Sequence, residues 1–233
     1  MIPFFAPFVV KGWRIGYDDA VRLILFGASG GCGSQLVKQA AARGHHVTAV
    51  VRSTTNYEPP NGVTVVRGDV LDARFVTSVV PGHDAVASCV GIKYAHPWAR
   101  RESPDDFISR ATMNIVSGMK AAGLRRLSAI SAAGVGDSKP MRNLVIRFLI
   151  ATSNVGVGYA DLGRAEEVLR GSGLDWQAVR PVRLSGGAGT GHPRITDRFP
   201  ASATIPRADV AAFMLAELER PQFTQRTPMI TGG

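Results

Sequence analysis

A doubly wound α/β fold with a parallel sheet is predicted by three observations. Short continuous apolar runs alternate with segments of helical character along the chain. The first run, Val21 to Phe26, ends in Gly27-Ala-Ser-Gly-Gly-Cys-Gly33, and an Ala-rich stretch follows as far as Gly44. The next run closes on Arg52. Strand, glycine turn, helix and strand make a βαβ unit of the Rossmann type. Right-handed crossovers then give one domain with strand order 3-2-1-4-5-6, extended by a seventh strand.

Each element follows from its residues. Leu23-Ile-Leu-Phe26 is the unbroken apolar run that a strand buried on both faces needs. Gly27 permits the tight turn, Gly30 lets the backbone approach a pyrophosphate, and Gly33 lets the helix pack closely on the strand. Ser29, Gly31 and Cys32 complete the loop, whose free N–H groups face the anion. From Ser34 the chain is rich in helix formers, with Leu36, Val37, Ala40 and Ala41 on one face and Gly44 as the stop. His46 to Val51 is the second strand, Val63 to Val66 the third and Ala85 to Val90 the fourth. Leu127 to Ile130 and Trp176 to Val179 are the fifth and sixth, and Pro228 to Thr231 is a last edge strand. Helices are expected around Arg74 to Val79, Phe107 to Ala122, Gly163 to Arg170 and Ala208 to Leu218.

In such a sheet, ligands collect at the carboxyl ends of the strands. An acidic residue after the second strand would accept from ribose hydroxyls, whereas a cation pairs with a 2′-phosphate. The chain has Arg52 there, with Ser53 and Thr54 as further donors, so NADP is expected over NAD. A solvated arginine at a strand end is the plainer alternative. After the third strand, Asp69 can accept from the adenine amino group and Val70 can pack on the ring; Asp69 also suits a turn or a helix cap. Val90-Gly-Ile92 follows the fourth strand, where Gly91 permits close approach to the dinucleotide. Ser131 follows the fifth and can face a substrate carbonyl or the nicotinamide amide, or simply sit in a turn.

Composition bounds the rest. With 233 residues and 45% hydrophobic content, the chain can bury one large core and is short for two ordinary domains. Residues 21–233 are read as the cofactor-binding domain with its substrate-pocket segments, and residues 1–20 as an N-terminal extension. Lys and Arg number 27 against 18 Asp and Glu, a formal charge of +9. The basic residues are scattered, so the charge suggests a field that attracts an anionic dinucleotide rather than nucleic acid. Two cysteines, Cys32 in the glycine loop and Cys89 in a strand, argue against a disulfide scaffold or a metal site. Reduced cysteines imply a cytoplasmic location. Met1 to Val10 is apolar but lacks a basic start and carries two prolines, so it reads neither as a signal peptide nor as a bilayer span. It is expected to pack on the body or on a partner subunit, with no membrane involved.

The ordered set of Gly27-Ala-Ser-Gly-Gly-Cys-Gly33, Arg52, Gly68-Asp-Val70, Ala121-Ala-Gly-Leu124, Ser131-Ala-Ala-Gly134, Ser172-Gly-Leu-Asp-Trp176, Val179-Arg-Pro181 and Arg207-Ala-Asp-Val-Ala211 resembles the NmrA-like, NAD(P)H-binding branch of the atypical short-chain dehydrogenase/reductases. The resemblance covers residues 21–233. It implies that Arg52 reads NADP, that Asp69 and Val70 hold the adenine, and that Val90, Gly91 and Ile92 lie along the dinucleotide. It further places Ser131 and the Arg180-Pro181 pair near the nicotinamide. Most short-chain dehydrogenases carry a Tyr-x-x-x-Lys pair on the helix after the fifth strand, where lysine lowers the tyrosine pKa so that it can protonate a carbonyl oxygen. Here Gly163 stands four residues after Tyr159, and Arg164 is displaced by about 100° on a helix. Asp161-Leu-Gly-Arg164 is similar to the same stretch of the biliverdin reductase B group, which also lacks the pair.

Hydride delivery to an acceptor that needs little acid from the protein remains feasible. A flavin, quinone or extended aromatic pigment delocalises the incoming charge, and solvent supplies the proton. The expected function is therefore an NADPH-dependent reductase of a planar, conjugated small molecule. Its pocket is expected between the loop Ile92-Lys-Tyr-Ala-His-Pro-Trp98, Tyr159 and the segment from Val182 to Gly191. Tyr94, Trp98 and Tyr159 are the candidate substrate contacts, with His96 as a proton donor; ordinary loop packing would account for the same aromatics. The Gly-rich stretch Ser185 to Gly191 is expected to be a flexible lid. A second reading keeps the cofactor without turnover: an NADP-binding redox sensor acting through a partner protein or homo-oligomer.

Overall fold

The computed structural model describes residues 20–92, 96–99, 103–200, 202–223 and 226–232. In chain order the elements are β1 (Arg22–Phe26), α1 (Gly31–Ala42), β2 (His46–Val51), β3 (Thr64–Arg67), α2 (Ala73–Val79), β4 (Ala85–Ser88), α3 (Phe107–Ala121) and β5 (Arg126–Ile130). A 3-10 turn (Gly136–Met141), α4 (Leu144–Thr152), α5 (Val155–Arg170), β6 (Asp175–Pro181), β7 (Arg183–Ser185), β8 (Arg194–Ile195), β9 (Thr204–Pro206), α6 (Arg207–Glu219) and β10 (Met229–Thr231) complete it. The main sheet runs β3-β2-β1-β4-β5-β6-β10-β8, and every pair in it is parallel except the last. This is the expected Rossmann order, with β10 as the seventh strand.

The apolar strands serve two cores. Leu23 and Leu25 of β1 point to one face, with Leu36 and Val37 of α1 and Val210 and Met214 of α6. Ile24 and Phe26 point to the other, with Ile115 and Met119 of α3 and Leu169 of α5. A central parallel strand covered on both faces needs side chains of both parities to be apolar, so the run in β1 is unbroken. Packing of α1 beside α6 on one face brings the start of α6 to the glycine loop.

Three expectations need correction. The last strand is not an edge, because β8 pairs antiparallel with β10 and covers it. The fourth strand ends at Ser88, and Val90 belongs to the turn that follows. The helix at Gly163 begins eight residues earlier, at Val155. Its first half carries Gly156 and Gly158, which hide it from a propensity reading. The helix α4 was not foreseen: Leu144-Val-Ile-Arg-Phe-Leu-Ile-Ala-Thr152 has no buried residue, and Leu144, Val145 and Phe148 are exposed. The first 19 residues, and with them the packing expected of the N-terminal extension, lie outside the described residues.

Candidate cofactor and active site

The glycine loop is shaped by contacts that exclude a side chain. Gly27 has φ +77°, and a Cβ there would stand 2.6 Å from the Cys89 carbonyl oxygen. A Cβ on Gly33 would stand 2.2 Å from the Gly27 carbonyl oxygen, so only glycine lets α1 start this close to β1. Gly30 caps α1 with extended backbone and provides no side-chain acceptor; no acidic residue lies in the first turn. Among the described residues, the N–H groups of Gly31, Cys32 and Gly33 have no partner. Three unspent donors at a helix start, ringed by positions too tight for a Cβ, fit a pyrophosphate. Burial pushes the Cys32 thiol up to about 11, with Arg207 pulling the other way, so the thiol is neutral near pH 7 and does not repel an anion.

Strand order turns the remaining candidates into a track along the carboxyl edge. Asp69 and Val70 follow β3, Arg52 and Ser53 follow β2, the glycine loop follows β1, Val90 to Ile92 follow β4, Ser131 follows β5 and Pro181 ends β6. Neighbouring strands lie about 4.8 Å apart, so the line from β2 to β6 is about 19 Å long. Arg52 is exposed, and its guanidinium has no hydrogen bond or ion pair among the described residues. Asp69 is exposed and closes a turn by accepting from the Leu71 N–H at 2.9 Å. The Val70 carbonyl is held by the Asn114 side-chain amide at 2.9 Å. The cap of α2 is Asp72, not Asp69. At Gly91 a Cβ would meet nothing, so the backbone there borders open space.

Ser131 is turned toward α5. Its hydroxyl donates to Glu166 at 2.7 Å, and Arg180 holds the same carboxylate through two bonds of 2.9 and 2.6 Å. Arg170 reaches Glu166 at 3.2 Å, and Arg180 also pairs with Asp137. Burial pushes the Asp137 carboxyl up, but the Arg180 bond and charge outweigh it, and the net direction is down. The Glu166 and Arg180 side chains are both 2% exposed, so this is a buried pair at the ends of β5 and β6. Beside it the sheet and α5 enclose a void of about 10 Å³, lined by Ser131, Glu166 and Ala165. That is at the lower limit for one water molecule, about 10–15 Å³.

Tyr159 is half-buried on α5 under the Arg142 guanidinium, 5.3 Å from its ring centroid. Burial raises its pKa, and the Arg142 charge only partly offsets that. The position one turn on, Gly163, opens onto empty space. Arg164 points elsewhere, donating to the Asp105 carbonyl at 2.6 Å and to Asp161 at 3.2 Å. Asp161 itself is buried and caps α3 by accepting from the Ile108 N–H at 2.6 Å and the Ser109 hydroxyl at 2.5 Å. Trp98 is 58% exposed, and its indole N–H donates to the Thr152 carbonyl at 2.9 Å. Asn154, just before α5, binds both Pro97 and Ala99 carbonyls, which sets this loop against the helix that carries Tyr159. Tyr94 lies outside the described residues.

The Gly-rich stretch is tied at both ends. Asp209 accepts from the Thr190 N–H at 2.9 Å, its hydroxyl at 2.7 Å and the Gly191 N–H at 3.0 Å. At the near end, Arg207 donates to the Ser185 carbonyl at 2.9 Å. Arg207, Asp209 and Glu166 were absent from the sequence reading of the site. The motif opening at Arg207 was visible, but its contact with residue 31 joins opposite ends of the chain.

Residues 27–221 match the model of a family described as NAD(P)H-binding. Among curated proteins, YwnB of Bacillus subtilis is 25% identical over 217 residues, covering 87% of this chain and 94% of YwnB. A 3-diazoavenalumate denitrifying reductase from a Streptomyces species is 33% identical over 122 residues, 48% of this chain and 38% of that protein. Among solved structures, ChuY, an anaerobilin reductase from Escherichia coli O157:H7, superposes with a TM-score of 0.72 at 25% identity. The match covers 89% of this chain and 95% of ChuY.

Proposed function

This chain belongs to the NAD(P)H-binding family, and we propose that it is an NADPH-dependent oxidoreductase acting on a planar, conjugated acceptor. When bound, the nicotinamide supplies a hydride. Gly27, Ser29, Gly30, Gly31, Cys32 and Gly33 would hold the pyrophosphate, and Arg52 with Ser53 the 2′-phosphate. Asp69 and Val70 would hold the adenine, Val90 to Ile92 the sugar and phosphate beyond, and Ser131 with Pro181 the nicotinamide end.

The observation that carries the choice of acceptor is the surroundings of Tyr159. A tyrosine whose pKa is raised by burial, with empty space instead of a cation one turn away, is a poor acid for a carbonyl oxygen. The Ser131 hydroxyl spends its proton on Glu166, so it offers an oxygen acceptor to a carboxamide rather than a donor to a substrate. An acceptor that spreads negative charge over a ring system needs neither group as an acid. The exposed Trp98 ring is a platform for such a molecule. The reductase names of ChuY and the Streptomyces relative support hydride transfer as the class of reaction.

The test is NADPH oxidation against quinones, flavins and simple ketones, with NADH in parallel. Turnover of quinones or flavins is expected, with NADPH preferred and the preference lost in Arg52→Ala. Turnover confined to ketones would overturn the acceptor class, and equal affinities for NADPH and NADH the role of Arg52. Tight NADPH binding with no oxidation of any acceptor, together with a co-purifying protein, would favour the non-catalytic binding module.

A further inference from the structure

We propose that Arg207, at the first position of α6, is a pyrophosphate-binding residue that closes the cofactor cradle from the far end of the chain; this rests on the cofactor reading above. A Cβ built on Gly31 would stand 2.6 Å from the Arg207 Cδ and 2.8 Å from its Nε. The arginine thus fills the space that a side chain at the first residue of α1 would take. It brings a guanidinium to a helix start whose N–H groups at Gly31, Cys32 and Gly33 have no partner among the described residues. One of its five N–H donors goes to the Ser185 carbonyl at 2.9 Å, and among the described residues no carboxylate pairs with its charge. Arg207 is half-buried, so its charge is partly shielded from solvent while a face stays open to a ligand.

The physical fit is specific. A pyrophosphate carries charge on two adjacent groups, and a helix start satisfies only the oxygens that face its N–H groups. A guanidinium on the opposite side supplies parallel donors and a full positive charge to the rest. Glycine at position 31 then has a reason beyond the backbone: any larger residue would push Arg207 off the loop. Because Ser185 opens the Gly-rich stretch, the same side chain ties the segment flanking the substrate pocket to the loop that holds the phosphates. Residues 31 and 207 come together through the packing of α1 on α6.

Binding of NADPH, NADH and adenosine 2′-monophosphate to the full chain, followed by fluorescence or calorimetry, tests this. Arg207→Gln keeps a donor for Ser185 and removes the charge. It is expected to weaken NADPH and NADH by a similar factor, at least about tenfold for a lost charge-assisted contact. Adenosine 2′-monophosphate has no pyrophosphate and should bind the variant and the wild type alike. Arg207→Lys, which keeps the charge but not the fork, should fall between. Dinucleotide affinities within about twofold of wild type in both variants, or an equal loss for adenosine 2′-monophosphate, would overturn the role of Arg207 alone. Failure of the wild-type chain to bind either dinucleotide would overturn the cofactor reading and this inference with it.

Discussion

Gly163 stands four residues after Tyr159, where the Tyr-x-x-x-Lys pattern of most short-chain dehydrogenases has its lysine. It lies inside α5, where glycine costs about 0.5–1 kcal/mol relative to alanine, and nothing surrounds the place a Cβ would occupy. Gly163→Lys is therefore expected to fit without displacing a neighbour and to raise stability by about 0.5 kcal/mol. A rise of that size moves the melting temperature by about 1–2 °C in a chain of this length. The new ammonium would stand four residues after Tyr159 on the same helix face, and its charge should lower the Tyr159 pKa. Ultraviolet titration of Gly163→Lys, with Tyr159→Phe variants subtracted, reads that shift. An unchanged Tyr159 titration would mean that the lysine points away, and that the missing pair is not simply a missing side chain.

At the scale of elements, the first turn of α6 governs the segment expected to be a lid. Burial pushes the Asp209 carboxyl up, but the bonds from Thr190 and Gly191 outweigh it, and its pKa lies below the ordinary carboxylate range. A carboxylate lowered on folding adds stability that is fully present above the unfolded pKa, about 3.9, and is lost as the pH falls through the lowered folded value. Residues 186–191 should accordingly loosen in acid and stay tethered at neutral pH. Asp209→Asn removes the charge on three hydrogen bonds, so the segment should open by about 1.5–3 kcal/mol more easily at neutral pH. Limited proteolysis or amide exchange across residues 186–191 measures it, and unchanged protection in Asp209→Asn would place the tether elsewhere. What the sequence disclosed here follows a physical line. Leu23 to Phe26, the glycine turn into α1 and the place of Arg52 just after β2 were legible because each depends on neighbours a few residues away. The helix α4 was not, because all but Arg147 and Thr152 of its nine residues are apolar, and only tertiary packing tells Ile146, Leu149 and Ile150, which are half-buried, from the exposed Leu144, Val145 and Phe148. Ser131 was placed at the right strand end, but its partner Glu166 is 35 residues distant, and nothing local tells a serine which carboxylate it will meet. Asp161 was noted only for its motif, and its part in capping α3 exists only once α3 and α5 pack.

For the whole molecule, the excess of positive charge makes a prediction that no single contact does. The formal charge of +9 is spread along the chain rather than gathered in one block. A distributed field of that kind acts on a polyanionic ligand before contact, and so changes how fast the ligand arrives. Specific contacts such as those proposed for Arg52 and Arg207 act after arrival, and so change how long it stays. Salt separates the two, because the Debye length shrinks from about 30 Å at 0.01 M to about 3 Å at 1 M ionic strength. The association rate of NADPH, measured by stopped-flow fluorescence, should therefore fall by about tenfold or more over that range. NADH lacks the 2′-phosphate and should fall less. Substituting Arg207 by Gln should raise the dissociation rate and leave most of the salt dependence of association in place, since one charge in a net of nine is a small part of the field. If association is instead insensitive to salt, the basic surface has no part in cofactor capture and its charge answers to some other partner.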